Sequence, residues 1–166
     1  MKVGVVGIGE MGLAMAGHLI AKEHAVSAFD VNAERLKVAG QRGAAMAASL
    51  PEIAKQAEVF IVIVATDEQS REVTQALVEH ATPGSLIAVV ATNHPDTMRE
   101  LGALCAGRGI RFIDAPVVYG ASGARDGTLL SLCGGSEADV EFARPVLMAY
   151  SRNVLRVGPV GAERTP

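Results

Sequence analysis

The chain has 166 residues, 49% of them apolar and 20% charged, and a formal net charge of −3. That length and balance suit one globular domain with a substantial core, and they exclude a disordered chain. No dense Lys/Arg patch marks a nucleic-acid or anionic-membrane partner, and the longest clean apolar run, Val59 to Ala65, is strand-sized and too short to cross a bilayer.

The N-terminus enters a strand pattern directly at Val3, with no signal-peptide architecture, which predicts a soluble cytoplasmic protein. A first strand is read at 3–6 and a helix at 11–22, then a strand at 25–29 and a helix at 33–41. A weak third strand lies near 44–46. Ser49-Leu50-Pro51-Glu52 then looks like a helix start, with Ser49 as N-cap, Pro51 in the first turn and Glu52 completing a capping box. The unbroken branched and aromatic run at 59–64 predicts a parallel strand covered on both faces.

Further strands are expected at 86–90 and 110–113, with helices at 68–80 and 96–106. Residues 115–127 read as a Gly-rich loop. A strand at 128–133, a helix capped by Ser136 and running to about Tyr150, and a last strand at 154–157 complete the pattern. Repeated βα units predict an α/β fold, a doubly wound, mostly parallel Rossmann sheet with helices on both faces. Cys105 and Cys133 have neither disulfide nor metal-ligand spacing and read as small buried thiols of a reducing compartment. His18, His24, His80 and His94 lack metal-ligand spacing, so no metal is expected. His94, close to Thr92 at a strand end, either touches substrate or cofactor or starts the helix after Pro95.

Gly7-Ile8-Gly9-Glu10-Met11-Gly12 is a G-x-G-x-x-G that follows a strand and opens a helix, the context that makes this pattern a dinucleotide fingerprint. Gly7 permits the tight turn, Gly9 lets backbone approach a pyrophosphate, and Gly12 allows close helix–strand packing. The helix N-terminus offers N–H groups and a positive dipole end to the phosphates. Asp30, eighteen residues beyond Gly12, ends the second strand and is followed by Val31 and Asn32. A carboxylate there accepts from the adenosine ribose hydroxyls and repels a 2′-phosphate, so NAD is favoured over NADP. Arg35 is the nearest residue that could rescue NADP. Asp30 also fits as a cap for the following helix, and the two roles are compatible. A methyltransferase can carry the same two features.

The chain resembles the β-hydroxyacid dehydrogenases, the family of 3-hydroxyisobutyrate dehydrogenase, tartronate semialdehyde reductase and 6-phosphogluconate dehydrogenase. Met11, Met15 and Ala16 fit that family's G-x-G-x-M-G-x-x-M-A run. Asp114-Ala115-Pro116-Val117, followed by Gly123-Ala124-Arg125-Asp126-Gly127-Thr128-Leu129, is similar to its D-A-P-V-S-G-G-x-x-G-A-x-x-G-T-L. The resemblance implies that Ala65, Thr66 and Ser70 line the nicotinamide side of the cofactor path and that Thr92 lies near the reacting centre. It also implies that the loop at Val118, Tyr119 and Gly120 faces the substrate. There the family's Ser-Gly-Gly reads Val118-Tyr119-Gly120, so the serine that helps hold a substrate carboxylate is replaced. Tyr119 either supplies another donor or packs as a loop aromatic.

The resemblance further implies a catalytic lysine, with an asparagine one turn later, on a helix opened by Gly-x-x-Gly-x-Gly. Here Gly158-Pro159-Val160-Gly161-Ala162 starts that run and Glu163 stands at its third glycine, so the lysine is expected beyond Pro166 and no catalytic residue within the chain. Residues 1–160 are accordingly read as the NAD-binding domain and 161–166 as the start of an interdomain segment. The implied activity is hydride transfer between NAD and a small hydroxy acid, with little or no turnover by this chain alone. Two alternatives stay open. One is a non-catalytic, NAD-binding regulatory form that self-associates through an apolar face left uncovered. The other is an S-adenosylmethionine-dependent methyltransferase, against which the Asp114-to-Leu129 block argues.

Overall fold

The computed structural model describes residues 1–162. In chain order it runs β1 (Lys2–Val6), α1 (Glu10–Ala21), β2 (Ala25–Phe29), α2 (Ala33–Gln41), β3 (Ala45–Met46), α3 (Leu50–Ala54), β4 (Val59–Val62) and α4 (Asp67–His80). It continues with β5 (Leu86–Val89), α5 (Pro95–Ala106), β6 (Arg111–Asp114), β7 (Val117–Val118), α6 (Gly120–Asp126), β8 (Leu129–Gly134), α7 (Glu137–Leu147) and β9 (Ser151–Gly158). The expected doubly wound α/β architecture is therefore present.

The strands run β3-β2-β1-β4-β5-β6 as a parallel sheet, which β8 extends on the β6 side. β6 and β7 meet β8 antiparallel in one register, with Asp114 opposite Gly134 and Val117 opposite Ser131. Leu132 N–H also donates to Pro116 O at 3.0 Å, so β6 and β7 form one strand broken where proline has no N–H to give. β9 lies parallel on the far side of β8. Strand order reverses between β1 and β4, which opens the crevice at their carboxyl ends where doubly wound sheets bind ligands.

Alternation of side chains across the sheet divides the core into two layers. The row Ala28, Val5, Ile61, Ala88 and Ile113 faces α1, α6 and α7. The row Gly4, Phe60, Ile87 and Phe112 faces α3, α4 and α5. Every residue of β4 and β5 is fully buried, as the apolar run at 59–64 predicts for central strands. Each large side chain buried in these layers contributes about 1.5–3 kcal/mol relative to exposure.

Two stretches differ from the sequence reading. Residues 115–127, read as loop, hold β7 and α6. Gly123 there serves packing: a Cβ on it would lie 2.9 Å from both Leu129 Cδ2 and Tyr119 Cβ. The second difference is α7, which ends at Leu147 rather than Tyr150, while β9 starts at Ser151 rather than Val154. Ser151 already pairs with Leu129, so the intervening residues must turn the chain. Tyr150 is fully buried in that turn, and burial pushes its phenol far above the ordinary range, making it a packing residue. Burial likewise pushes the Cys105 thiol up to about 12, as expected of an inert buried cysteine.

α6 is fastened to α1 by His18. Its Nε2 lies 2.9 Å from both Ala124 O and Arg125 O, so that nitrogen carries a proton and donates to carbonyls at the end of α6. The ring also lies against Gly127, where a Cβ would come within 3.0 Å of it. His18→Leu removes the donor and crowds this contact, and a loss of about 1 kcal/mol is expected in urea unfolding; unchanged stability would dismiss the clamp.

Candidate functional site: the glycine loop and the strand ends around it

The β1–α1 turn is built by exclusion of side chains. Gly7 has φ +102°, and a Cβ on it would lie 2.0 Å from Ile63 O. A Cβ on Gly12 would lie 1.9 Å from Gly7 O. Gly9 differs, because a Cβ there would meet nothing within 4 Å. The loop thus packs tightly at its two outer glycines and opens at the middle one, directly over the start of α1. Gly9 is the N-cap and offers no side-chain oxygen, so no capping side chain covers the first N–H groups.

Ile8 is buried and gives its N–H to Asp30 Oδ2 at 2.7 Å, so this side chain belongs to the core and its donor to Asp30. Met11 is half-buried against the same layer. Glu10 is exposed, and its Oε1 accepts from Arg125 Nη1 at 3.0 Å.

Asp30 ties β2 to this loop. Its Oδ1 accepts from Asn32 N–H at 2.8 Å while Oδ2 holds Ile8. A carboxylate has about four acceptor positions, so capacity remains for hydroxyl donors. The helix-capping role considered for Asp30 belongs to Asn32, whose Oδ1 accepts from Glu34 N–H and Arg35 N–H at 3.0 and 3.1 Å. Val31 projects into solvent at 94% exposure beside them, an apolar surface at the mouth of the crevice.

The next strand ends bring Ala65, Thr66 and Thr92 to the same edge, all three exposed. Thr66 caps α4 in a reciprocal box: its Oγ1 accepts from Gln69 N–H, and Gln69 Oε1 accepts from both Ala65 and Thr66 N–H groups. Ser70 does not reach the surface. It is fully buried, and its Oγ donates to Asn93 Oδ1 at 3.3 Å, while Asn93 Nδ2 donates to Ala91 O. Sequence reasoning placed Ser70 on the cofactor path; the fold instead uses it to hold the loop that carries Thr92. Thr66 leads helix α4, and one turn later Ser70 falls on the buried face shared by Val73, Thr74 and Leu77.

Asp67 braces the same two loops, a role that the sequence did not signal. Its Oδ2 accepts from Thr97 Oγ1 at 2.7 Å and from His94 N–H at 3.1 Å. His94 is the N-cap of α5 without a side-chain capping bond, so the carboxylate of the neighbouring helix does the capping and the helix-start reading of His94 holds. The Thr97 hydroxyl, first, and then the His94 amide and the nearby His94 and Arg71 hold the Asp67 carboxyl below its ordinary value of 3.8. Beyond it a cleft of about 510 Å³ runs from Thr92 and Asn93 to Pro116 and Leu132.

After Pro116 the chain reaches the β7–α6 corner, which is strained. Tyr119 has φ +86° and ψ +13°, a left-handed conformation, and is 64% exposed. Gly120 follows with φ +52°, and Val118 is exposed. Tyr119 lines a hollow of about 480 Å³ with Thr128, Leu130, Arg152 and Asn153. It does not pack as a loop aromatic.

Two measurements test this geometry. A depressed carboxyl pKa stabilises the fold above the unfolded value, and that stabilisation is lost as pH falls through the folded one. The advantage of the wild type over Asp67→Asn is therefore expected in full at neutral pH, shrinking on acidification below 3.8; a pH-independent difference in urea midpoints would dismiss the ionic brace. Tyr119→Gly is expected to raise unfolding stability by up to about 1 kcal/mol by relieving the left-handed strain, and a loss would show that the ring makes compensating contacts.

Residues 2–158 match the family described as the NAD binding domain of 6-phosphogluconate dehydrogenase. The chain is 32% identical to a probable mitochondrial 3-hydroxyisobutyrate dehydrogenase of Dictyostelium discoideum, over 96% of this chain and 50% of that protein. It is 33% identical to the 3-sulfolactaldehyde reductase of Escherichia coli K12, over 96% of this chain and 54% of the relative. The solved 3-hydroxyisobutyrate dehydrogenase of Mycobacterium tuberculosis, with L-serine, superposes with a TM-score of 0.95 at 32% identity, over 97% of this chain and 55% of that one. The chain therefore spans about half the length of the curated relatives it matches. With the glycine loop, Asp30 and the sheet order in agreement, the chain belongs to the family described as the NAD binding domain of 6-phosphogluconate dehydrogenase.

Proposed function

We infer that this chain is the cofactor half of an NAD-dependent dehydrogenase for a small hydroxy acid. The observation that carries the reading is the opening over Gly9, held between two positions where backbone carbonyls exclude any side chain and flanked by the anchored carboxylate of Asp30. The residues fit the dinucleotide. The first-turn N–H groups of α1 would take the pyrophosphate. Asp30, with Val31 and Asn32 beside it, would hold the adenosine ribose, and Ala65, Thr66 and Thr92 would border the nicotinamide. Ser70 contributes from beneath, through Asn93.

The chemistry that NAD supplies when bound is hydride exchange with the carbon bearing the hydroxyl. What this chain contributes is orientation, and a substrate edge made of Val118, Tyr119 and Gly120. The proton-handling lysine is not at that edge: Lys2 and Lys55 line a hollow beside the start of β1, Lys22 ends α1, and Lys37 lies on α2. Residues 1–160 are accordingly proposed as the cofactor domain, with the segment from 161 leading toward a second, lysine-bearing domain. The part of that segment after Ala162 lies outside the described residues.

Calorimetric titration with NAD and NADP tests the reading. NAD is expected to bind and NADP to bind at least about ten-fold more weakly, because Asp30 would meet the 2′-phosphate. Asp30→Ser is expected to weaken NAD about ten-fold and narrow the gap. Incubation of the chain with NAD and 3-hydroxyisobutyrate should give no NADH above background. Failure to bind either dinucleotide would overturn the cofactor reading, and clear turnover would overturn the division of labour.

A further inference from the structure

Glu10 occupies an awkward position for a pyrophosphate site. It is the first residue of α1, between the open Gly9 and Met11, and the acidic residue of that helix's first turn. A carboxylate there suits the helix dipole, but it is also a negative charge at the rim of a cradle for a dianion. The same carboxylate could compete for the first-turn N–H groups. It does neither unopposed, because Arg125 reaches across from the last turn of α6 and binds it at 3.0 Å.

That ion pair is not explained by the fold. Both side chains are largely exposed, at 60% and 68%, and exposed pairs add little to stability. α6 is already docked on α1 by the two His18 hydrogen bonds and by the burial of Gly123 and Ala124. The pair is therefore redundant as a fastening, while its position at the mouth of the glycine loop is specific.

Resting on the reading of that loop as the pyrophosphate site, we propose that Arg125 sets dinucleotide affinity by neutralising Glu10 and holding its carboxylate away from the first turn of α1. Arg125 is a positioning residue: it acts through Glu10, and the phosphates see its effect as the removal of a repulsion. An oppositely charged partner within hydrogen-bond distance reduces the repulsion that a carboxylate exerts on a neighbouring anion. The pairing is invisible in the sequence, because the partners are 115 positions apart and each alone reads as a solvated surface charge.

The test is calorimetric titration with NAD at low ionic strength of the wild type, Arg125→Ala, Glu10→Gln and the double variant, with thermal melting of each. Arg125→Ala is expected to bind about ten-fold more weakly, the loss shrinking as salt is raised from about 0.05 to 0.5 M. Glu10→Gln should bind at least as tightly as the wild type. The double variant should return to within about three-fold of it, since no carboxylate is left to neutralise. Melting temperatures should barely move, which separates the effect from a loosening of α6. Equal affinity of Arg125→Ala and wild type would overturn the proposal. So would a double variant as weak as Arg125→Ala, which would show Arg125 contacting the phosphates itself. A wild type that does not bind NAD would instead remove the cofactor reading on which the proposal rests.

Discussion

Two backbone carbonyls occupy the space where side chains would stand, Ile63 O beneath Gly7 and Gly7 O beneath Gly12. This contact brings the start of α1 down onto the ends of β1 and β4 and fixes the direction of its first N–H groups. Met15, Ala16 and Leu19 can fill the layer above Val5, Ile61 and Ala88 only because the helix lies that close. The site and the core therefore share one constraint. Any side chain at position 7 or 12 would lift the helix, opening the core and misdirecting the donors together.

Around this contact the loops at the carboxyl edge are held by their neighbours more than by themselves. Asp30 at the end of β2 holds Ile8 of the glycine loop, Asp67 of α4 caps α5, and buried Ser70 holds Asn93. Glu52 similarly bonds Ala48 N–H ahead of α3, while Ser49 caps that helix by accepting from Glu52 N–H. Single hydrogen bonds of this kind contribute about 1 kcal/mol each, and those to a carboxylate somewhat more. Their arrangement as a chain of braces means that one loop cannot move without disturbing the next. Such preorganisation suits a long ligand that must touch several strand ends at once.

The legibility of the sequence follows the range of the physical cause. β4 and β2 were readable because burial on a sheet imposes a local apolar pattern, and the first glycine loop because its three roles fall within six consecutive residues. α6 was not readable, since Gly-Ala-Ser-Gly-Ala-Arg-Asp has the composition of a loop and becomes helical through packing against Leu129 and against α1, about a hundred positions away in the chain. Asp67 and Asn93 were missed for the same reason: each acts on a partner at least 23 positions distant. Ser70 was misplaced because strand-end proximity was weighed without the helical phase that turns it inward.

The two edges of the site differ in what defines them. The cofactor edge is made of backbone: carbonyls that exclude Cβ atoms, N–H groups at a helix start, and carboxylates bound to amides. Those features tolerate change at Glu10, Val31 or Ala65 without losing their geometry. The β7–α6 corner, proposed above as the substrate edge, is made of side chains at Val118 and Tyr119, where a residue with a Cβ accepts left-handed strain of about 1–3 kcal/mol that the glycine of the related motif would avoid. A tyrosine 64% exposed gains little burial to offset that strain, and it stands over the hollow it lines with Thr128, Leu130, Arg152 and Asn153. Retained strain at such a position points to a demand on the phenol and the neighbouring apolar valine. The glycine-loop frame thus stays that of its family, while the β7–α6 corner departs from the related motif at Val118 and Tyr119.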